Sequence, residues 1–351
     1  MENLSEINDD LKYIFKSNNK IWKNLQNKNI FITGGTGPFG FWILKSFIYA
    51  NNYLGLKSKI FLLSRKKNNK FTKLISDKNI SYIKGDIRNF KFFKKNIDII
   101  IHGATTSAHE TFKRQDPNEK ISVLVEGTKR ILNFAKFSNC KKILFISSGV
   151  VYGNRDKKIK FSENMSIAPL TNDLNFDISA LGEAKRLAEL MTIIFSKKNK
   201  CKVNIARCFS FIGPLMPLNL HYAVGNFLRD AIKSKQINIK GNPNTLRSYL
   251  YFADLAAIIW KIVLSNNNRQ IYNVGSDKAL SMLSIAKKIK KLLPHTKIIF
   301  KKNNKYKKSF YIPSIKKIKK NFNFEPKYSF LESLKKTHSS IIKNKKLYDI
   351  R

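Results

Sequence analysis

The segment Asn29-Ile30-Phe31-Ile32-Thr33-Gly34-Gly35-Thr36-Gly37-Pro38-Phe39-Gly40 constrains this chain more than any other. An apolar run of strand character feeds into glycines spaced three apart, at Gly34, Gly37 and Gly40. A mostly apolar stretch from Phe41 to Ala50 follows with helical spacing. The order is strand, tight turn, helix. Glycine has no Cβ, so such a turn lets backbone approach a pyrophosphate, and the helix behind it offers unpaired N–H groups and a partial positive end. Glycines placed between a strand and a helix support a dinucleotide site far better than a bare triplet does; the alternative is a purely structural turn. On this reading Gly34, Gly37, Pro38, Phe39 and Gly40 are cofactor-binding.

The following pattern repeats strand and helix. Lys59 to Leu63, Ile80 to Ile83, Ile97 to Ala104, Lys142 to Ile146 and Val203 to Arg207 read as strands, with helices expected near Ile121 to Phe137 and Ser179 to Leu190. This predicts an α/β fold, a Rossmann-type doubly wound parallel sheet, with ligands at the carboxyl ends of the strands. Residues 29–207 form the expected NAD(P)-binding domain. Residues 1–28 read as a helical extension anchored by Leu11, Ile14, Phe15, Ile21, Trp22 and Leu25. Beyond, 208–340 form a smaller mixed α/β lobe for substrate, with segments returning to the core. The end, from about Lys335 and including 341–351, reads as a basic, mobile tail.

The second strand ends at Ser64-Arg65, where NAD enzymes usually carry a carboxylate for the adenosine ribose. Neither residue is acidic. Arg65 suits a 2′-phosphate, which tilts the expectation from NAD to NADP, or it is a solvated arginine beside Lys66 and Lys67. Thr105, Thr106 and Ser107, after the fourth strand, would suit a surface passed closely by a cofactor.

Composition limits the alternatives. The net charge is +44, yet the lysines are scattered among many Asn and Ile residues, as an AT-rich coding sequence would produce, so no specific nucleic-acid partner is expected. Cys140, Cys201 and Cys208 are too few for a disulfide framework and not spaced as a zinc site, which leaves reduced core thiols and no metal. No apolar run is long enough to span a bilayer and the N-terminus lacks signal-peptide form, so a cytoplasmic location is expected.

Further landmarks are Gly85-Asp86-Ile87-Arg88, Ile101-His102-Gly103-Ala104, Gly127-Thr128, Ser147-Ser148 through Val151-Tyr152-Gly153, Lys185, Gly213-Pro214, Arg247 with Asp254, and Tyr272-Asn273-Val274-Gly275. With the glycine turn, they make the chain resemble the extended short-chain dehydrogenase/reductases, the nucleotide-sugar epimerase and dehydratase family, from Asn29 to Thr337. The resemblance implies a nucleotide-sugar substrate, a homodimer, and a role in surface-polysaccharide precursor synthesis. It places Asp86 and Ile87 against the adenine, Ser148 on the reacting sugar oxygen, and Lys185 on the nicotinamide ribose. Arg247 would grip the diphosphate, with an ion pair to Asp254 as the alternative, and Asn226 is a weaker substrate candidate.

One departure is chemical. The family's catalytic tyrosine belongs four residues before Lys185, on the same helix face, and that residue is Leu181. Leucine has no proton to exchange, and general acid–base catalysis is typically worth about 10²–10⁴-fold. Glu183 lies about 200° round the helix at roughly 100° per residue and points elsewhere. Tyr152, His109, His221 and Tyr222 are distant substitutes, and His102 reads as a packed core residue. Gly149 and Val150 stand where 4,6-dehydratases carry an acidic pair and decarboxylases a glutamate, which disfavours both chemistries. Ser210 replaces the usual asparagine before Gly213-Pro214. Two readings follow: a C4 epimerase or keto-sugar reductase working despite Leu181, or a cofactor- and nucleotide-sugar-binding pseudoenzyme that regulates or scaffolds a partner.

Overall fold

The computed structural model describes residues 5–66, 70–105, 116–153, 158–166, 168–169, 176–219, 222–300 and 308–350. His109 and His221, with Thr106 and Ser107, lie outside them. The chain divides into two units, one of Met1–Gly153, Ile167–Cys208 and Ala256–Tyr272, the other of Asn154–Ser166, Phe209–Leu255 and Asn273–Arg351.

The first unit is built on strands β1 (Asn29–Thr33), β2 (Lys59–Ser64), β3 (Ile80–Lys84), β4 (Ile99–His102), β5 (Lys142–Ser148) and β6 (Lys202–Cys208). With Gln270–Val274 at one edge, the order is Gln270–Val274, β6, β5, β4, β1, β2, β3. Neighbours among β1 to β6 run parallel. This is the doubly wound sheet expected from the alternation. All four residues of β4 are buried, as a strand covered on both faces requires.

Helices α1 (Asn8–Ser17), α2 (Pro38–Leu54), α3 (Lys70–Leu74), α4 (Pro117–Phe137) and α5 (Phe176–Lys198) belong to this unit, as does most of the helix Phe252–Leu264. Pro117 opens α4 behind Asp116, whose side chain accepts from Asn118 N at 2.9 Å. Phe134 of α4 meets Phe31 of β1 at a ring separation of 4.9 Å, within a cluster holding Ile100, Ile143 and Val203. The N-terminal extension is tied down by aromatics: Trp22 is fully buried, 5.3 Å from the ring of Trp260, whose Nε1 donates to Ser46 of α2.

The second unit carries short strand pairs and helices. The sequence from Lys335 is not the mobile tail its lysines suggested. A helix, Phe330–Lys343, starts at a capping box of Ser329 and Glu332, and its inner face buries Leu334, Thr337 and Ile341. Tyr348 is buried beyond it; its hydroxyl accepts from Leu215 N at 2.7 Å and pairs with Ser340 Oγ at 2.8 Å. Composition misled here because one buried phenol outweighs several solvated lysines. Among the described residues no helix is long and apolar enough to cross a membrane.

Tyr348→Phe leaves a buried N–H without its acceptor and should cost about 1–3 kcal/mol of stability. Denaturant melts test this, and an unchanged midpoint would show that the end of the chain is not docked through this hydroxyl.

Candidate functional site

The strand order reverses at β1, with β2 and β3 to one side and β4, β5 and β6 to the other. Ligands of such sheets settle in the crevice at the carboxyl ends flanking the reversal. Here the two strand exits touch. Gly34, after β1, has φ +74°, and a Cβ on it would lie 2.4 Å from the carbonyl carbon of Gly103, after β4. Gly103 N donates to Thr33 O at 3.0 Å and Ala104 N to Thr33 Oγ1 at 3.1 Å.

His102 locks this junction. Its Nδ1 lies 2.8 Å from Thr33 Oγ1 and its Nε2 3.1 Å from Thr128 Oγ1. Burial, with the charge of Lys185 added, pushes the imidazole pKa down to about 3. His102 is therefore a neutral core residue, as the sequence indicated.

The three glycines differ in what they do. At Gly40 a Cβ would meet the backbone oxygen of Gly35 at 2.2 Å, so this glycine lets α2 begin hard against the turn. At Gly37 nothing lies within 4 Å of an added Cβ. Gly37 is the N-cap of α2 and Pro38 its first residue, and no acidic side chain stands in the first turn. A cradle of open space before a helix N-terminus without carboxylates fits a pyrophosphate. At the ends of β2 and β3, exposed Arg65 adds its charge to that around Asp86. Asp86 is held below the usual carboxylate range, first by the side-chain hydrogen bond from Arg88. Arg88 reaches on to Glu119 at 2.8 Å, a bracing pair the sequence reading missed. Ile87 is buried, and Gly127 allows its approach: a Cβ there would stand 3.0 Å away.

Ser148 and Lys185 come from β5 and α5. Ser148 Oγ accepts from Val150 N at 3.3 Å, capping the short turn Gly149–Tyr152, and among the described residues its own O–H meets no acceptor. Lys185 is buried; its Nζ donates to Ile146 O at 2.7 Å and stands 4.9 Å from the Phe145 ring. Burial lowers its pKa to about 8. Gly182 lets α5 close on this turn, since a Cβ there would meet Val150 O at 2.9 Å.

Residues 30–275, more than half of the chain, match the description "NAD dependent epimerase/dehydratase family". The chain belongs to that family. It is 27% identical over 306 residues to UDP-glucuronic acid decarboxylase 1 of Arabidopsis thaliana, covering 87% of this chain and 68% of that protein. An epimerase of Methanothermobacter thermautotrophicus shares the fold with a TM-score of 0.79 at 21% identity, covering 95% of this chain and 98% of its own. A dTDP-glucose 4,6-dehydratase of Bacillus anthracis, solved in complex with NAD, does so with a TM-score of 0.73 at 22% identity, covering 92% and 99%.

Against that family background, Leu181 stands one turn before Lys185 on α5, half-buried. Tyr152 is buried, and its hydroxyl accepts from Arg207 Nη1 at 2.9 Å. Tyr222 is 40% exposed, at the start of the helix Ala223–Ser234 in the second unit. Also there, Asn226 Oδ1 accepts from Arg229 at 3.3 Å. Arg247 donates to the carbonyls of Leu246 and Ser309 and to Ser309 Oγ, and burial lowers its pKa. The suggested ion pair with Asp254 gives way to a different arrangement: Asp254 is fully buried and accepts from Lys327 N and Tyr328 N at 2.9 and 3.2 Å.

The glycines yield a graded prediction. Gly34→Ala and Gly40→Ala should destabilise the fold itself. Gly37→Ala should melt like the native protein yet bind a dinucleotide at least tenfold more weakly, on the order of 1.4 kcal/mol. Calorimetric titration beside thermal melts separates them; unaltered binding by Gly37→Ala would refute the cradle.

Proposed function

We propose that this chain binds NAD(P) at the Gly34–Gly40 turn and a nucleotide sugar, and that it belongs on the epimerase or keto-sugar-reductase side of its family with an impaired proton-transfer site. The observation that carries this reading is the pairing of a retained Ser148 and Lys185 with an aliphatic Leu181. The nicotinamide, when bound, supplies acceptance and return of hydride at a sugar carbon. Ser148 donates its O–H to the reacting oxygen. Lys185, a buried ammonium fixed on Ile146 O, orients the nicotinamide ribose. Leu181 contributes shape only.

Two more residues narrow the chemistry. Gly149 and Val150 sit on the turn capped by Ser148, without a carboxylate to deprotonate C5 or assist decarboxylation. This argues against carrying over the activity named for the Arabidopsis relative. The second reading, a pseudoenzyme that binds cofactor and nucleotide sugar and acts on a partner, is favoured by the same Leu181.

Position 181 separates the two. Leu181→Tyr should raise turnover of a UDP-, dTDP- or GDP-sugar by about 10²-fold or more, the ordinary worth of a general acid–base group. A native protein already as active as its tyrosine variant would dispose of the impaired-site reading. For cofactor choice, Arg65→Ala should weaken NADP⁺ binding more than NAD⁺ binding, and equal affinities before and after would remove Arg65 from the site.

A further inference from the structure

Scattered along the sequence, the lysines converge in space at one edge of the parallel sheet. The registers start β1 to β6 within one residue of a common level: Asn29 stands opposite Lys59, Ile30 opposite Ile99, Ile60 opposite Ile80, Ile99 opposite Lys142 and Lys142 opposite Lys202. Each strand is entered through lysine. Lys28 precedes β1, Lys59 opens β2, Lys78 and Lys95 stand shortly before β3 and β4, Lys141 precedes β5 and Lys202 opens β6; all but the half-buried Lys28 are exposed. In the segments leading into these strands the carboxylates are Asp77 and Asp98, and Asp98 is taken by Lys28 at 3.0 Å and by Asn29 N at 2.9 Å.

The edge at the strand exits differs. There Arg207 is buried against Glu189, and Arg88 is held by Asp86 and Glu119. Among the described residues the exposed cations at the exits are Lys84, Arg65 and Lys66, at the ends of β2 and β3. Neighbouring strands lie about 4.8 Å apart, so the row of lysines at the starts sets like charges side by side, which is unfavourable until an anion meets them.

The helices run back against the strands, and the end of α4 comes to the same edge. Ile97 N donates to Ser138 O at 3.1 Å, which sets the end of α4 beside the start of β4. Phe137 is 49% exposed here, with its ring 5.4 Å from that of Phe92. A pocket of about 510 Å³ is lined by Asn29, Lys94, Lys95, Asn96 and Phe137. Two ammonium groups beside an aromatic ring match a lipid phosphate and the boundary between headgroup and acyl chain.

We propose that the edge of the sheet at the strand starts is a docking face for an anionic lipid bilayer, with the pocket of Lys94, Lys95 and Phe137 receiving a headgroup phosphate. Lysines near such a surface add to one another's attraction. Nucleic acid fits the edge less well, because strand starts and helix ends present no side of a helix to enter a groove. The exposed Phe137 ring gains from the headgroup boundary and has no such partner on a duplex backbone.

The test is co-sedimentation of the full chain with vesicles of phosphatidylcholine alone and of phosphatidylcholine with phosphatidylglycerol. Binding is expected to the second only, and it should be lost at about 0.5 M salt, where screening is short-ranged. Lys94→Glu with Lys95→Glu should weaken binding about tenfold or more, whereas Lys66→Glu with Lys84→Glu, the same change in net charge at the strand exits, should change it less than about twofold. Phe137→Ser should weaken binding and leave its salt dependence as it is. Thermal melts check folding, and if the first pair does not fold, Lys141→Glu with Lys200→Glu takes its place with the same expectation. No binding to the phosphatidylglycerol vesicles at low salt would overturn the proposal. Equal weakening by the two pairs would do so too, since net charge and not this face would then be responsible. Binding of a DNA duplex at a salt concentration that releases the vesicles would make nucleic acid the partner and overturn it as well. The assay uses no cofactor, so its outcome is separate from that of the proposed function.

Discussion

The exits of β1 and β4 meet backbone to backbone, and everything at the site depends on that approach. Gly34 and Gly103 make it sterically permissible, and Thr33, His102 and Thr128 hold it with hydrogen bonds in a fully buried chain. Burial holds the His102 pKa down at about 3, so the ring stays neutral within this chain. With the two strand ends locked, the turn leading into α2 is fixed, and nothing stands within 4 Å of a Cβ added at Gly37.

The sequence made the first unit legible where the information is local. Strands of β-branched residues, the glycine turn and the Pro117 start of α4 all depend on neighbours within a few positions, so pattern and period reach them. The buried cluster of Ser147, Tyr152, Glu189 and Arg207 was invisible for the opposite reason. Its partners lie 18, 42 and 55 residues apart and are brought together only when β5, β6 and α5 assemble. Arg88 and Glu119, 31 residues apart, escaped in the same way. At the C-terminus the lysine content suggested mobility, while a capping box and a single buried tyrosine determine the structure.

On the proposed reading binding and catalysis rest on different atoms. The cradle would be backbone, at Gly34, Gly37 and Gly40, whereas the chemistry would need three side chains, of which Ser148 and Lys185 are present and the third is Leu181. Such a chain would keep the first while losing most of the second.

The claim beneath both functional readings is that the turn still holds a dinucleotide. Calorimetric titration of the native chain with NAD⁺ and NADP⁺ tests it most directly. The account predicts saturable binding of one dinucleotide per chain, with or without turnover of any sugar. Absence of binding to either, in a protein that melts cooperatively, would contradict it.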